Sequence, residues 1–463
     1  MGRLLDKVVF VSLLALIVTT AIPYGTVDPW WEALFECAVF GSTALWILEG
    51  LLSGDWRLNR FLPIVPLIIL TVYSFLQTVQ LPTWIVATGA HSAQRMLTVD
   101  QYQTHLTTLK ILSLTAFLGL LLIHVSTPKR LTWLVRTLIA VGFGSAVFGI
   151  TRQLLQAPTS SGFVLPFLFP GTGYGQFIGA NGFSYLMEMS FGLIAGLVLG
   201  SGIPRTRVPV YVAAALVIWT ALVLSNSRGG MVSLGFQFIF LLLVSTAWYL
   251  RRRRSRAGSR PGRALAFIER SLVVRLVAIA VIGCVLVAGV LWMGGERLTS
   301  KFQEQASSEN TNTIDGITRR QIWRSTWSLI KDNPWTGVGF GAYFLAIPQY
   351  QIGSGRIKVA QAHNDYLDLL ASGGLVAGLL AAWFIVLVFW RTRSSLRAAD
   401  SYRRAAALGA VAAMLDVAIH SVVDFGLQFT GIAVFFMAVV TIAAVNLATS
   451  PRLGDNTGTA GST

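Results

Sequence analysis

Three short polar motifs in an otherwise apolar chain contain arginine or histidine. They are SRGG at 227–230, the pair Arg319-Arg320, and AHNDYL at 362–367. A guanidinium can clamp phosphate oxygens in bidentate fashion, and a histidine imidazole can accept a proton from a hydroxyl near neutral pH. Together, Arg228, the pair Arg319-Arg320 and His363 suit the displacement of a phosphate leaving group. The arginines would neutralise the developing diphosphate charge, and the histidine would activate the attacking hydroxyl.

Each motif also has a purely structural interpretation. Arg228 can belong to an ordinary short loop and reach the membrane interface by snorkelling. Arg319 and Arg320 can lie on the solvated face of an amphipathic helix, and His363 can be a capping or structural histidine. The acidic residues that follow it, Asp365 and Asp368, can orient the imidazole or face water.

Two further groups of polar residues accompany these motifs. His420 and Asp424 lie four residues apart near the end of an apolar stretch, where they would share a helical face. They either form a structural pair in the membrane or line the site, and we favour the supporting role. His91 and Arg95 lie in a polar segment, 81–107, and are candidates for glycan or diphosphate binding.

The motifs that would indicate metal or nucleotide chemistry are missing from the sequence. The predicted loops contain no paired carboxylates or Asp-x-Asp signature of the kind that holds Mg²⁺ or Mn²⁺ beside a diphosphate. HExxH, P-loop and GxSxG motifs are also absent from the chain. We therefore expect a reaction that needs neither metal nor cofactor.

Composition indicates what positions these residues. The chain has 463 residues, of which 54% are hydrophobic and 12% charged, against roughly a quarter charged in soluble domains. This excludes an ordinary soluble enzyme and a disordered chain, and it predicts an all-α polytopic membrane protein. Twelve apolar stretches are long enough to cross a bilayer core of ~30 Å: 8–23, 32–52, 62–80, 108–125, 131–150, 177–200, 209–226, 231–249, 275–293, 374–391, 405–424 and 429–448.

The positive charge follows the membrane topology. The chain carries 36 Lys+Arg against 20 Asp+Glu, a net charge of +16, and 23 of the 36 basic residues fall in alternate loops. Because basic residues are retained on the cytoplasmic side, these loops and both termini are predicted to be cytoplasmic. The charge therefore gives no reason to expect a nucleic-acid partner, although the basic loop can contact membrane lipids.

The predicted organisation has three parts. Residues 1–293 contain spans one to nine, a periplasmic segment at 81–107 and a basic cytoplasmic loop at 250–274. Residues 294–373 form a large periplasmic loop, and 374–463 contain the last three spans and a cytoplasmic tail. Within the loop, apolar residues at helical spacing predict an amphipathic helix from Arg319 that is broken at Asn333-Pro334.

Taken in order, the motifs resemble the O-antigen ligase and polymerase superfamily of bacterial inner-membrane proteins. The stretches that carry the likeness are ANGFSYLMEM at 180–189, SRGG at 227–230, Arg319-x-x-x-Trp323, DNPWTGVG at 332–339, AHNDYL at 362–367 and His420-Ser421-x-x-Asp424-Phe425. The resemblance implies a GT-C-like glycosyltransferase fold whose periplasmic loop covers an undecaprenyl-diphosphate-linked glycan donor. It also implies two essential arginines and one histidine, which map onto Arg228, Arg319 and His363.

The resemblance further suggests how substrates are bound. We assign substrate binding to Arg320, Arg95, His91, Asn181, Asp424 and His420. The helical pattern leaves open which of Arg319 and Arg320 faces the site. The partners implied are the donor, a glycan or lipid-linked acceptor, and other polysaccharide-assembly proteins.

Several reactions fit this superfamily. The glycines at 373–378 are spaced differently from the ligase pattern, and AHNDYL is more similar to members that occur with exopolysaccharide biosynthesis. We therefore predict an inverting polymerase of lipid-linked repeat units, ahead of a ligase to lipid A core or a protein O-oligosaccharyltransferase. A flippase or transporter is the alternative from another class, but such proteins usually have two related halves, and no such repeat is visible here.

Overall fold

The protein is an all-α polytopic membrane protein, as the composition predicts. A computed structural model describes residues 2–54, 56, 62–80, 96–155, 174–255, 313–314, 317–351 and 359–447. The predicted span at 275–293 and the candidate residues His91 and Arg95 lie outside the described residues. Apart from a two-residue antiparallel ladder between β1 (Thr313–Ile314) and β2 (Ile317–Thr318), the regular structure in these ranges is helical.

The α-helices of the described ranges follow one another along the chain. They are α1 (Gly2–Ala21), α2 (Pro29–Ser53), α3 (Val65–Leu76), α4 (Gln101–His124), α5 (Pro128–Leu155), α6 (Ala180–Leu199), α7 (Val208–Leu224), α8 (Arg228–Ser255), α9 (Arg319–Asp332), α10 (Tyr343–Ala346), α11 (Asp365–Leu396), α12 (Ser401–His420) and α13 (Thr430–Ala444). Short 3₁₀ turns occupy Leu62–Ile64, Arg205–Arg207, Ile347–Tyr350 and Gly426–Gln428.

Helices overlap eleven of the twelve predicted spans, but the count of twelve is not confirmed. Within the described part of the chain, eight helices are long and apolar enough to cross a membrane: α1, α2, α4, α5, α6, α7, α8 and α11. Two more, Leu62–Leu76 and α13, are apolar but shorter. The helix that contains the tenth predicted span begins at Asp365, ahead of that span, and is broken at Gly374, where the span was predicted to begin.

Helix α6 lies at the centre of the bundle and packs most extensively on α12. Gly196 of α6 faces Gly409 of α12 so closely that a Cβ on Gly196 would collide with the backbone of Gly409. Small residues allow two membrane helices to approach in this way. The close approach brings the side chains of α6 directly against the end of α12, where the candidate site begins.

Helix α11 is broken near its start by Gly374, whose φ of 61° and ψ of −161° belong to a region that is essentially restricted to glycine. The segment after α9 hydrogen bonds with the opened backbone: Leu375 N donates to Pro334 O at 2.8 Å, and Val338 N donates to Ala371 O at 2.9 Å. Directly after α3, Gln77 Nε2 donates to the carbonyl oxygens of Thr336 and Ser372. The break is therefore a stable element, since its peptide groups have protein partners.

The predicted amphipathic helix is present as α9, and it forms an ordered unit with the residues that follow it. Ile322, Leu329 and Ile330 pack in one apolar cluster with Tyr343 of α10. The phenol of Tyr343 hydrogen bonds to Thr326 Oγ1 at 2.7 Å, and burial raises its pKa above the ordinary value. This unit rests on the first part of α11, directly beside His363.

Candidate functional site

The candidate residues that the structure describes lie at one end of the bundle. Arg228 and Arg319 are the first residues of α8 and α9, and Asn181 is the second residue of α6. His420 is the last residue of α12, and His363 lies in the turn that leads into α11. Residues from five separate helices or turns therefore meet around His363 and His420.

His363 is held in a strained turn. Its φ of 50° is uncommon for a non-glycine residue and marks a position worth examining for function. The next residue, Asn364, caps α11 by accepting hydrogen bonds from the amides of Tyr366 and Leu367, each at 3.0 Å. Its Nδ2 donates to Val422 O at 2.8 Å, so the turn is fixed to the segment after α12.

Further hydrogen bonds join the start of α11 to that segment. The amide of Asp365 donates to the carbonyl oxygens of Ser421 and Asp424, and its carboxylate accepts from Ser421 Oγ at 2.7 Å. The carboxylate of Asp368 accepts from the amide of Ala362 at 3.1 Å. Residues 362–368 and 421–424 thus form one rigid unit in which both aspartates hold the backbone.

Among the described residues, the carboxylate within ion-pair range of His363 is that of Asp424. His363 Nδ1 lies 3.7 Å from Asp424 Oδ1, and the side chain of Asp424 is only 3% exposed. Phe425 packs edge-on against the imidazole with ring centroids 4.8 Å apart. Nδ1 is buried, whereas 21% of the histidine side chain is exposed, so the accessible part of the ring points away from Asp424.

His420 and Asp424 do not form the helical pair that their spacing suggested. Helix α12 ends at His420, and the two side chains have different partners. His420 Nδ1 lies 2.9 Å from Glu188 Oε1 in α6, with both side chains fully buried. The ring of Tyr185 stacks on the imidazole at a centroid distance of 4.0 Å. His420 therefore acts as a buried structural support of the site.

Glu188 is the residue that sequence reasoning missed. It appeared only inside a motif, with no role assigned. A carboxylate in the middle of an apolar span is costly unless it has a partner, and this was the signal that could have identified it. Its partner His420 lies more than two hundred residues away in the chain, so the spacing within either motif could not show the pair.

The start of α8 rests on this buried pair. A Cβ on Gly229 would lie 2.5 Å from His420 Cδ2, and one on Gly230 would lie 2.9 Å from Glu188 Oε1. Just before them, Ser227 Oγ donates to Asn181 Oδ1 at 2.8 Å and accepts from the Gly230 amide. These contacts fix the turn and leave the Arg228 side chain exposed.

The two arginines of α9 differ in their surroundings. Arg319 is half-buried and close enough to His420 for its charge to act on the imidazole, whereas Arg320 is exposed. Thr318 and Gln321 cap the helix reciprocally, and Trp323 Nε1 donates to Ala362 O at 3.1 Å. Burial therefore distinguishes Arg319 from Arg320, and the Trp323 hydrogen bond ties α9 to the residue before His363.

Part of the chain matches a known protein family. No curated protein matches the chain. Residues 213–382 match the family described as O-antigen ligase, a range that includes Arg228, Arg319 and His363, while Asn181, His420 and Asp424 lie outside it. The match supports a function of the O-antigen ligase and polymerase type in general terms. The matched range is a little over a third of the chain, and it agrees with the predicted likeness to the O-antigen ligase and polymerase superfamily.

Proposed function

We propose that the protein is a glycosyltransferase at the periplasmic face of the bacterial inner membrane. It transfers an undecaprenyl-diphosphate-linked glycan to an acceptor hydroxyl and thereby polymerises O-antigen or exopolysaccharide repeat units. The observation that carries this proposal is the placement of His363 beside buried Asp424, at the end of the bundle where Arg228 and Arg319 begin their helices.

His363 is proposed as the general base. With Nδ1 directed at Asp424, the other ring nitrogen, Nε2, takes the proton from the acceptor hydroxyl. The Asp424 carboxylate stabilises the imidazolium that forms, because it lies within ion-pair distance of the ring. The 21% exposure of the His363 side chain gives the acceptor access to the base.

Arg228 and Arg319 are proposed to bind the donor diphosphate. Each stands at the amino-terminal end of a helix, where peptide N–H groups and the helix dipole also favour an anion. In the reaction, the acceptor oxygen forms a bond to the anomeric carbon while the bond from that carbon to the diphosphate oxygen breaks. Undecaprenyl diphosphate leaves with its charge neutralised by the guanidiniums, and a single displacement inverts the anomeric configuration.

The remaining candidates are proposed to complete the substrate site. Arg320 lies beside Arg319 and can contact the glycan or diphosphate, while Asn181 supports the turn before Arg228. His91 and Arg95 belong to the segment 81–107 and are proposed to contact the donor. In this orientation both termini are cytoplasmic, the polyprenyl tail lies against the spans, and no metal or cofactor takes part in the transfer.

Mutagenesis of the purified protein tests these roles. Lipid-linked repeat units are supplied as both donor and acceptor, and chain length is followed on gels. We expect His363→Ala, Arg228→Ala and Arg319→Ala each to abolish chain growth without loss of membrane insertion. Arg324→Ala is the matched control, because Arg324 is an exposed arginine further along α9, and it should retain wild-type activity.

The same assay separates the alternatives. Transfer to a lipid A core acceptor in place of chain growth would identify a ligase, and movement of intact donor across the bilayer without transfer would identify a flippase. Full activity of His363→Ala or Arg228→Ala would remove the assigned roles. A requirement for added Mg²⁺ or Mn²⁺ would overturn the metal-free reaction.

A further inference from the structure

A second cluster of ionisable side chains lies at the end of the bundle opposite His363. Asp6 of α1, Glu49 of α2 and His124 of α4 each direct one potential ligand atom at the others, all within 4.8 Å of one another. None of them belongs to the site described above. An aspartate, a glutamate and a histidine from three different helices therefore converge at a point where the proposed reaction gives them no role.

The orientation of His124 is that of a metal ligand. Its side chain is fully buried, and Nδ1 lies 2.9 Å from Leu120 O, so this nitrogen carries the hydrogen. The lone pair is then on Nε2, which points into the cluster and has no hydrogen-bond partner among the described residues. A metal-binding histidine commonly donates its other N–H to a backbone carbonyl in this way.

Glu49 directs a second potential metal ligand, a carboxylate oxygen, into the same cluster. Its Oε2 is buried without a hydrogen-bond partner in the part of the chain that the structure describes, and it lies 3.4 Å from His124 Nε2. A carboxylate oxygen and an unprotonated nitrogen repel each other, so either a proton or a metal cation lies between them. Ligands at about 2.0–2.1 Å from tetrahedral Zn²⁺ are separated by about 3.4 Å, which equals the observed distance.

Arg130 of α5 fixes the third group. Its guanidinium hydrogen bonds to both carboxylate oxygens of Asp6, donates to His124 O at 2.9 Å, and lies over the ring of Phe10. The Arg130 guanidinium thereby holds the side chain of Asp6 and the backbone of His124, as outer-shell partners of metal sites do. Two carboxylates, one guanidinium and a neutral imidazole leave a net charge of −1, which favours a dication.

We infer that Asp6, Glu49 and His124 bind a divalent transition-metal ion, with Zn²⁺ the best match, as a clamp between α1, α2 and α4. An imidazole nitrogen beside two carboxylates favours such an ion over Mg²⁺ or Ca²⁺, which prefer oxygen ligands alone. The site is remote from His363, so the metal stabilises the bundle and takes no part in the transfer. This inference is independent of the proposed function.

Metal titration of the full-length protein in detergent tests the inference. After treatment with a chelator and its removal, ZnCl₂ is added and binding is measured by calorimetry and metal analysis. We expect one Zn²⁺ per chain and a higher thermal unfolding midpoint. His124→Ala and Glu49→Gln each remove a ligand and should weaken binding by at least the roughly 10–100-fold that loss of an outer-shell partner costs. The controls His105→Ala, on the same helix as His124, and Glu36→Gln, on the same helix as Glu49, should bind like wild type.

Cobalt provides a second readout that does not depend on the variants folding. Co²⁺ added to the chelated wild-type protein should give the visible absorption of a four-coordinate site, and equimolar Zn²⁺ should abolish it. Absence of that absorption, or of Zn²⁺ binding at micromolar concentration, would show that Glu49 and His124 share a proton rather than a metal. Equal loss of binding in the control variants would also overturn the proposed site.

Discussion

Gly229→Ala tests whether the buried pair of Glu188 and His420 positions Arg228. The added methyl carbon would lie 2.5 Å from His420 Cδ2 and also contact Nε2. Carbon atoms in ordinary contact are separated by about 3.5 Å. Either the imidazole or the first turn of α8 must therefore move by about 1 Å.

The imidazole of His420 has little freedom to give way. It stacks on Tyr185 at 4.0 Å, and its Nδ1 lies 2.9 Å from the fully buried Glu188 carboxylate. The start of α8 must therefore shift, and Arg228 shifts with it. Overpacking of this kind costs about 1–3 kcal/mol of stability, while a displacement of 1 Å at a reacting group can reduce the rate about 100-fold, or about 2.7 kcal/mol in activation free energy.

The assay compares Gly229→Ala with Gly235→Ala in the same helix. A Cβ on Gly235 would meet nothing within 4 Å, so this variant controls for adding a methyl group to α8. Thermal unfolding and the rate of glycan transfer are measured on both. We expect the first variant to lose stability and about 100-fold in rate, and the second to match wild type. A wild-type rate in Gly229→Ala would refute the idea that His420 positions Arg228.

Two further contacts give predictions of their own. Trp323→Phe removes the hydrogen bond to Ala362 O. We expect the free energy of unfolding to fall by about 0.5–1.5 kcal/mol and the transfer rate to fall several-fold. Trp327→Phe, at an exposed position, is the control, and an equal effect in both variants would contradict a special role for the bond. Gly374→Ala places a side chain on a backbone conformation that costs a non-glycine residue about 1–3 kcal/mol, so the thermal unfolding midpoint should fall. Gly144→Ala is the control, because its methyl group would meet no neighbour within 4 Å, and its midpoint should match wild type. Equal midpoints for the two variants would show that the break in α11 tolerates a side chain.

Helices that are determined by residues close together in the chain were predictable from the sequence. Helix α9 was expected from apolar residues at helical spacing, and it runs over Arg319–Asp332 before the break at Asn333-Pro334. Most membrane helices were visible as apolar stretches of sufficient length. In both cases, the residues that decide the structure lie next to one another in the chain.

The helical turns of α11 ahead of Gly374 were not predicted, because their stability depends on distant residues. The run from Asp365 to Ser372 is too polar to be recognised as a membrane helix, and Gly373-Gly374 suggested that the span begins there. In the structure the first turns are helical because Asn364 caps them and because Asp365 is held by Ser421. Sequence spacing could not show that the segment after α12 provides these partners.

The same dependence on distant residues explains why only part of the candidate site was identified from the sequence. Arg228, Arg319 and His363 lie in short motifs whose residue types indicate chemistry, and the structure brings all three to one end of the bundle. The partner of His363 and the pairing of Glu188 with His420 became visible only when α6, α11 and α12 were packed together. The acidic and histidine residues of the opposite end, such as Glu49 and His124, gave no motif because each comes from a different helix.

The placement of the arginines itself argues for an anionic substrate. Cations near a helix amino terminus oppose the helix dipole, at a cost of typically about 0.3–1 kcal/mol each. Arg228 opens α8, and Arg319 and Arg320 open α9, and neither first turn contains an acidic residue. A stability penalty at two helix starts on the same face is expected only where another requirement outweighs it. A bound diphosphate removes the penalty, because its charge complements both the guanidiniums and the peptide N–H groups. Under the proposed function, the same feature that weakens the free protein would strengthen binding of the donor.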